Sequence, residues 1–197
     1  MVFARPPPDH LNPQSIKRFR HLSILLPDHV GGRIKGDLEA QNYDVKILPD
    51  GGWVELSKRI KVCCICDYIQ DAILLVDVGG RLFINMNDAP GNARLRLIRS
   101  IAREFRHSYL LRASGSLDMI NLFDADGNRI APKLPPMGRW LALFAQRVGA
   151  KSVIPFSSFH RYQREDSAWA NAYRWPLDAY QEGFEEIGRV HPCVRLD

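Results

Sequence analysis

The sequence predicts a mixed α/β fold, arranged as an α/β sandwich rather than as a purely parallel sheet. Apolar runs rich in valine and isoleucine follow one another across tight turns, which is typical of antiparallel hairpins. Two segments with apolar residues at helical spacing lie between and after these runs. The order is therefore strands, helix, strands, helix, strand and helix, which favours helices packed against a sheet that contains hairpins.

The first elements are short. Residues 12–22 predict a helix or turn, with Asn12 or Ser15 as its cap and a proline that a first turn tolerates. A buried strand then ends at Pro27, and a helix follows in which Ile34 and Leu38 share one face. Apolar and polar residues alternate on either side of residues 49–52, which predicts a strand, a turn and a strand.

The clearest pattern covers residues 59–92, where three strands are predicted in succession. A Gly-Gly pair separates the second and third runs, and such a pair is a strong hairpin signal. Within the first strand, Cys64 and Cys66 are expected on one face and Cys63 on the other. We expect these thiols to be buried and reduced, because a free cysteine behaves as a small hydrophobic residue. Asp88 follows the third strand.

The second half predicts two helices and further strands. Residues 93–106 have apolar residues at helical spacing and arginines on the other face, which we interpret as a solvated face. The second helix, residues 137–150, is expected to stop at Gly149. Residues 108–116 and 118–132 are strand candidates, as are residues 151–160, and residues 166–188 are expected to be partly helical. Within the second candidate, residues 124–128 favour a turn over a calcium loop, because the distal glutamate is missing.

Composition favours one globular domain over residues 1–197 and excludes several classes. The formal charge is +5, but the basic residues are scattered along the chain, so no nucleic-acid partner is expected. No apolar run is long enough for a membrane span, and the beginning of the chain lacks the apolar core of a signal peptide. A cytoplasmic protein without a disulfide scaffold is the resulting expectation.

Polar side chains that follow predicted strands are the candidates for a metal site, since loops at strand ends are free to carry them. Three places qualify, namely Asp9 with His10, Asp88, and His160. Each also has an ordinary structural interpretation. Asp88 precedes Ala89-Pro90 and could form an Asx-turn, and His160 could be a loop histidine.

Taken together, three segments resemble the metallo-β-lactamase superfamily. They are PDH at residues 8–10, DAILLVDVGGRLFINMND at 71–88 and VIPFSSFHRYQREDSAWANAY at 153–173, with a helix between the last two. The resemblance is closest to the branch of CMP-N-acetylneuraminate hydroxylase-like and N-acylphosphatidylethanolamine phospholipase-like proteins. It implies an αββα sandwich with metals at one edge. The superfamily holds those metals with a His-x-His-x-Asp-His loop, a later histidine, a strand-end aspartate and a final histidine.

The first metal motif is only half present. Asp9 and His10 match its last two positions, whereas Arg5 and Pro7 stand where the two preceding histidines are expected. Neither side chain replaces an imidazole, because arginine stays protonated and proline has no donor atom to offer. Two ligands of the first metal are therefore missing.

The other ligand positions are matched in part. The resemblance makes Asp88 the strand-end aspartate that usually bridges two metals, and His160 the final histidine. The middle histidine is expected near CDYIQDA, which supplies Asp67, Tyr68 and Asp71 but no histidine.

The resemblance implies a metal-dependent hydrolase-like protein with a degenerate first metal site. One Zn²⁺ or Fe²⁺ would be held by the family's set for its second metal, and Asp9 would also be a candidate base. The substrate would be a small molecule with an ester or phosphodiester bond, and the activity would be weak or absent. The residues of the implied metal site are Asp9, His10, Asp88 and His160.

The alternative is a non-catalytic remnant or interaction module that keeps the fold. Only MVFA precedes the first metal motif, which would begin at Arg5, so the αββα sandwich is expected to be incomplete at its N-terminus. Missing strands would expose a sheet, which predicts a homo-oligomer or another partner that covers it.

Overall fold

The computed structural model describes residues 12–68, 71–91, 93–113, 123–128, 137–156, 161–184 and 191–192. The chain divides into two compact units, residues 1–95 and residues 96–197. The single domain over residues 1–197 stays a prediction. No helix among the described residues is long and apolar enough to cross a lipid bilayer.

The first unit begins with a parallel β-α-β arrangement. Asn12 caps the short helix α1, Pro13–Ile16, by accepting from the backbone N–H groups of Gln14 and Ser15 at 2.9 and 3.2 Å. A 3₁₀ helix at Lys17–Phe19 follows. Strands β1, Ile24–Pro27, and β2, Val45–Leu48, pair in parallel, and helix α2, Arg33–Glu39, lies between them in the sequence. The cap at Asn12, strand β1 ending at Pro27 and helix α2 are as predicted. Leu38 is buried in a cluster to which Ile34 also packs, so their shared face is confirmed.

Four antiparallel strands make up the rest of the first unit. They are β3 at Trp53–Ser57, β4 at Ile60–Cys66, β5 at Ala72–Val78 and β6 at Arg81–Asn87. The three successive strands β4, β5 and β6 are confirmed, and the turn at Gly79-Gly80 has both glycines at positive φ. The strands on either side of residues 49–52 do not pair with each other, because β2 pairs with β1 and β3 pairs with β4.

Both faces of β4 are buried, which explains its continuous apolar run. On one face, Val62 and Cys64 pack with Leu48 at the end of β2 and with Ala72 of β5. On the other face, fully buried Cys63 lies opposite Leu75 of β5. Cys63, Cys64 and Cys66 are free and buried, as the sequence predicted.

The second unit holds parallel strands joined by a helix. Helix α3 starts at the unit boundary. The elements are α3 at Leu95–Glu104, β7 at His107–Ala113, α4 at Met137–Val148, β8 at Ser152–Phe156 and the two-residue β9 at His191–Pro192. Strand β8 pairs in parallel with β7 on one side and β9 on the other. The buried side chains of this unit include Leu110 of β7, Val153 of β8 and residues of both helices.

Helix α4 ends where the sequence predicted. Gly149 has φ 83°, and its N–H and that of Ala150 donate to the carbonyl of Ala145 at 2.8 and 3.0 Å. This left-handed residue after the last turn satisfies helix carbonyls that would otherwise lack a partner. The partly helical segment after residue 166 consists of two 3₁₀ helices, Ala168–Tyr173 and Leu177–Tyr180.

Candidate metal edge of the first unit

Of the four predicted metal ligands, the structure describes Asp88. Asp9, His10 and His160 lie outside the described residues, as does Cys193. That the four side chains come together therefore stays a prediction. The structure gives the geometry of Asp88.

Asp88 follows the last residue of β6 and its side chain is exposed to solvent. The preceding Asn87 has φ 44°, a left-handed conformation that asparagine tolerates better than most residues. The N–H of Ala89 donates to the carbonyl of Met86 at 2.8 Å and closes a tight turn. The Asn87 side-chain amide donates to Asp88 Oδ1 at 3.0 Å. The turn therefore directs a hydrogen-bonded but solvent-accessible carboxylate away from the strand.

Two other aspartates of this edge have structural roles. Asp67 follows β4 and Asp71 precedes β5, where the resemblance placed the missing middle histidine. Asp67 Oδ1 accepts from the N–H of Asp71 at 3.0 Å, and the N–H of Asp67 donates to the carbonyl of Asp71 at the same distance. Asp71 is buried, whereas Tyr68 between them is exposed. The acids thus close the connection between β4 and β5.

A fourth aspartate joins three segments of the chain. Asp50 Oδ1 accepts from the N–H of Cys66 at 2.9 Å, and its Oδ2 forms an ion pair with the Arg94 guanidinium. Arg94 Nε also donates to the carbonyl of Cys66 at 3.2 Å. The turn after β2, the end of β4 and the loop before α3 are therefore held together by one carboxylate and one guanidinium.

This network was missed from the sequence. Pro49-Asp50-Gly51-Gly52 indicates a turn, and that interpretation is correct, but Asp50 and Arg94 are 44 residues apart. No local pattern signals such a pairing. An arginine just before a predicted helix was the available hint, and nothing in the sequence gave its partner.

Among the described residues, no group of three or more histidine, cysteine, aspartate or glutamate side chains could hold a metal ion. The oxygen-rich segment Asp124–Asn128 is a turn, as predicted. Asp124 Oδ1 accepts from the N–H groups of Asn128 and Asp126 at 2.8 and 3.0 Å. The bonds from Asn128 lower the pKa of the Asp124 carboxyl, since they stabilise its charged form.

Comparison with known proteins gives the fold. Neither a protein-family model nor a curated protein matches the sequence. Among solved structures, the chain is similar to the crystal structure of the metallo-beta-lactamase fold protein YhfI from Bacillus subtilis, with a TM-score of 0.53. The fold is that of a metallo-β-lactamase. Sequence identity is 7%, and the alignment covers 98% of this chain and 73% of the other.

The metallo-β-lactamase fold confirms the predicted fold class, an αββα sandwich with a mixed sheet. At this identity the likeness concerns the fold alone, so the branch of the superfamily named from the sequence stays a prediction. The expectation that the fold is incomplete at its N-terminus also stays a prediction. Within the fold, Asp88 is the exposed acid that follows a buried strand.

The thiols beside this edge differ from one another. Burial raises the pKa of Cys63 to about 11. On the other face of β4, Cys64 and Cys66 form a thiol hydrogen bond that raises the pKa of Cys64 and lowers that of Cys66. The backbone N–H of Asp28, after β1, adds a smaller lowering effect on Cys66. Cys66 is also 9% exposed, whereas the other two are fully buried.

We expect iodoacetamide to alkylate Cys66 before Cys63 and Cys64 in the native protein. The thiolate is the reacting form, so the thiol with the lowered pKa and the greater exposure should react first. Peptide mass spectrometry after a short labelling time at pH 7.5 measures the order. Equal labelling of the three thiols in the native protein, or faster labelling of Cys63, would contradict this assignment. Labelling in urea, where all three are accessible, is the control.

Proposed function

We propose that the chain is a metal-dependent hydrolase-like protein that acts on an ester or phosphodiester and has a degenerate first metal site. It would hold one Zn²⁺ or Fe²⁺ with Asp9, His10, Asp88 and His160, and Asp9 would also be a candidate base. The proposal rests on the metallo-β-lactamase fold and on the resemblance of the sequence motifs. The substrate is proposed as a small molecule.

The observation that carries the proposal is the position of Asp88. A carboxylate that binds a cation needs an accessible lone pair and a fixed backbone, and the turn after β6 leaves Asp88 accessible on a hydrogen-bonded backbone. The hydrogen bond from the Asn87 amide to Oδ1 orients the carboxylate and leaves lone pairs for a cation. The nearby acids Asp50 and Asp71 are less suited, because Asp50 is paired with Arg94 and Asp71 is buried.

The donor set fits the metal by its chemistry. Two carboxylates and two imidazoles suit Zn²⁺ or Fe²⁺ and leave room for a water. When bound, such an ion lowers the pKa of a coordinated water and supplies hydroxide near neutral pH. With Arg5 and Pro7 in place of two imidazoles, the first metal, which usually helps to hold substrate and nucleophile, would be absent. We therefore propose weak activity.

Metal analysis of the full chain, purified without chelators and reconstituted with Zn²⁺ or Fe²⁺, tests the proposal. We expect one bound ion per chain, and loss of that ion in Asp88→Asn and in His160→Ala. Asp77→Asn is the matched control, because Asp77 Oδ1 accepts from Gly80 N–H at 2.7 Å in the hairpin turn between β5 and β6. The control is expected to keep its metal. Failure of the unmodified chain to bind either ion, or binding unchanged by the two substitutions, would contradict the proposal.

The second candidate is a non-catalytic remnant or interaction module. Arg5 and Pro7 at ligand positions favour it, because a chain that has lost two ligands is no longer constrained to keep the rest. This candidate predicts a metal-free protein that associates with itself or with a partner through an uncovered sheet. Hydrolysis of p-nitrophenyl acetate and bis(p-nitrophenyl) phosphate by the zinc-loaded chain, lost in Asp88→Asn, separates the two candidates.

A further inference from the structure

A stripe of arginines runs along α3 in the second unit. Arg96, Arg99 and Arg103 are spaced by three and four residues, which keeps them on one side of the helix, and Arg106 follows two residues after the helix ends. All four side chains are exposed, while Ile98 and Ala102 on the other side are fully buried. The three helical arginines lie about 4.5 and 6 Å apart along the axis, given a rise of about 1.5 Å per residue.

A second set of cations faces part of this stripe. Arg147 in the last turn of α4 and Lys151 after it share a groove of about 450 Å³ with Arg99 and Arg103. The remaining lining residues are neutral: Gln146, Gly149 and Ala150. We call this surface the basic groove. The lining is compact because the Arg99 stem packs at Gly149, where an added Cβ would be 3.1 Å from Arg99 Cγ.

The charge of the basic groove is not neutralised within the described parts of the chain. The ion pairs found there involve other cations, such as Arg164 with Asp166 and Arg94 with Asp50. Lys151 Nζ donates to the carbonyls of Phe105 and Arg106 at 2.8 and 2.7 Å, which fixes its position but leaves its charge in place. Four unneutralised cations around one groove produce a strong local positive potential.

The shape of the groove favours an extended polyanion over a small molecule. Pockets for small ligands are concave and mostly apolar, and they bury most of the ligand surface. The basic groove is open to solvent and is lined by long, exposed cationic side chains. Side chains of this kind neutralise a chain of phosphates well, because each cation can pair with a different phosphate.

Helix α4 carries one exposed aromatic side chain, Trp140, two turns before Arg147. Trp140, Phe144 and Arg147 are spaced by four and three residues, and Arg147 lies 6.0 Å from the Phe144 ring. The Trp140 ring stacks on the buried Phe144 with 5.7 Å between centroids, and the Arg112 guanidinium lies over the Trp140 ring at 5.7 Å. Trp140 nevertheless remains 36% exposed. Basic grooves beside exposed aromatic rings are typical of proteins that bind single-stranded nucleic acids, where bases stack on the rings.

We propose that the basic groove binds single-stranded nucleic acid, with its four cations on the phosphate backbone and a base against the exposed part of Trp140. The proposal goes beyond the proposed hydrolase-like function and requires no metal. It also replaces the expectation of no nucleic-acid partner. That expectation relied on cations scattered along the sequence, whereas Arg99 and Arg147, 48 positions apart in the numbering, line one groove.

Fluorescence anisotropy with a labelled oligouridylate and the full chain, in buffer with EDTA, tests the proposal. Four neutralised phosphates predict a slope of about −3 for log K against log salt, or about 50-fold weaker binding at 200 mM than at 50 mM salt. Arg99→Gln with Arg103→Gln should make the slope about 1.4 less steep. Glutamine keeps part of each aliphatic stem. The matched control is Arg33→Gln with Lys35→Gln, which removes the same charge from α2.

Several outcomes would overturn the proposal. One is that the oligonucleotide does not bind at 50 mM salt. Another is that the two groove substitutions leave the salt slope unchanged. A third is that the α2 control loses as much of the salt slope as the groove variant. Vesicles containing phosphatidylserine are the further comparison. Binding to the vesicles but not to the oligonucleotide would assign the groove to a membrane surface instead. Because EDTA is present throughout, success or failure here is independent of the metal experiment.

Discussion

Gly138→Ala is expected to destabilise the second unit by about 3 kcal/mol, at the upper end of the range for overpacked sites. Gly138 is the second residue of α4 and is buried. A Cβ at this position would lie 2.5 Å from the carbonyl oxygen of Glu182 and 2.8 Å from that of Tyr180. Both obstacles are backbone atoms, so no side-chain rotation relieves the contact. The helix and the segment after Leu177–Tyr180 would have to separate.

Gly36→Ala is the matched control, since it is the same substitution inside another helix. Nothing lies within 4 Å of a Cβ added at Gly36 in α2. Alanine is therefore expected to stabilise the protein by about 0.5 to 1 kcal/mol, through its higher helix propensity. Urea unfolding of the two variants measures the opposite signs. A neutral or stabilising Gly138→Ala would show that α4 does not pack against the backbone of residues 180–182.

Asp50→Ala is expected to lower the free energy of unfolding by about 2 to 3 kcal/mol, because hydrogen bonds to charged groups are the stronger kind. The substitution leaves the N–H of Cys66 and the Arg94 guanidinium without their shared carboxylate. Asp50→Asn should lose about half as much. Its amide oxygen still accepts from Cys66, but its charge for Arg94 is gone.

Glu55→Ala provides the control for the Asp50 substitution. Glu55 and Lys61 form a surface ion pair at 3.1 Å between β3 and β4, with both side chains largely exposed. Such pairs contribute less than about 1 kcal/mol, because water screens them and the side chains lose entropy. Equal losses in Asp50→Ala and Glu55→Ala, measured by urea unfolding, would contradict the structural role given to Asp50.

Some elements of the fold could be predicted from the sequence, and others could not. Strands β4 to β6 were predicted because their apolar runs are long and a Gly-Gly pair separates two of them. The stop of α4 was predicted because glycine adopts positive φ at low cost. The partners of β2 and β3 were not predictable, since neither strand carries a sign of what it pairs with. In the structure β2 pairs with β1, and β3 pairs with β4.

The site shows the same limit at the level of single residues. Asp88 was located by its place after a strand, and its side chain is exposed in the structure, while its role as a metal ligand stays a prediction. Its hydrogen bond to Asn87 and the separate network of Asp50 with Arg94 depend on tertiary contacts. The missing imidazoles at Arg5 and Pro7 are a matter of sequence alone, and they limit what the metal site can do.

The amino-acid pattern fixed the class of fold, the buried thiols of β4 and the strand-end position of Asp88, because each depends on near neighbours in the chain. Folding was needed to pair Asp50 with Arg94 and to place Arg99 and Arg103 across a groove from Arg147 and Lys151. Electrostatic potential depends on distance in space rather than on separation along the chain. Cations that are scattered in the sequence therefore become one surface when α3 and the end of α4 are packed together.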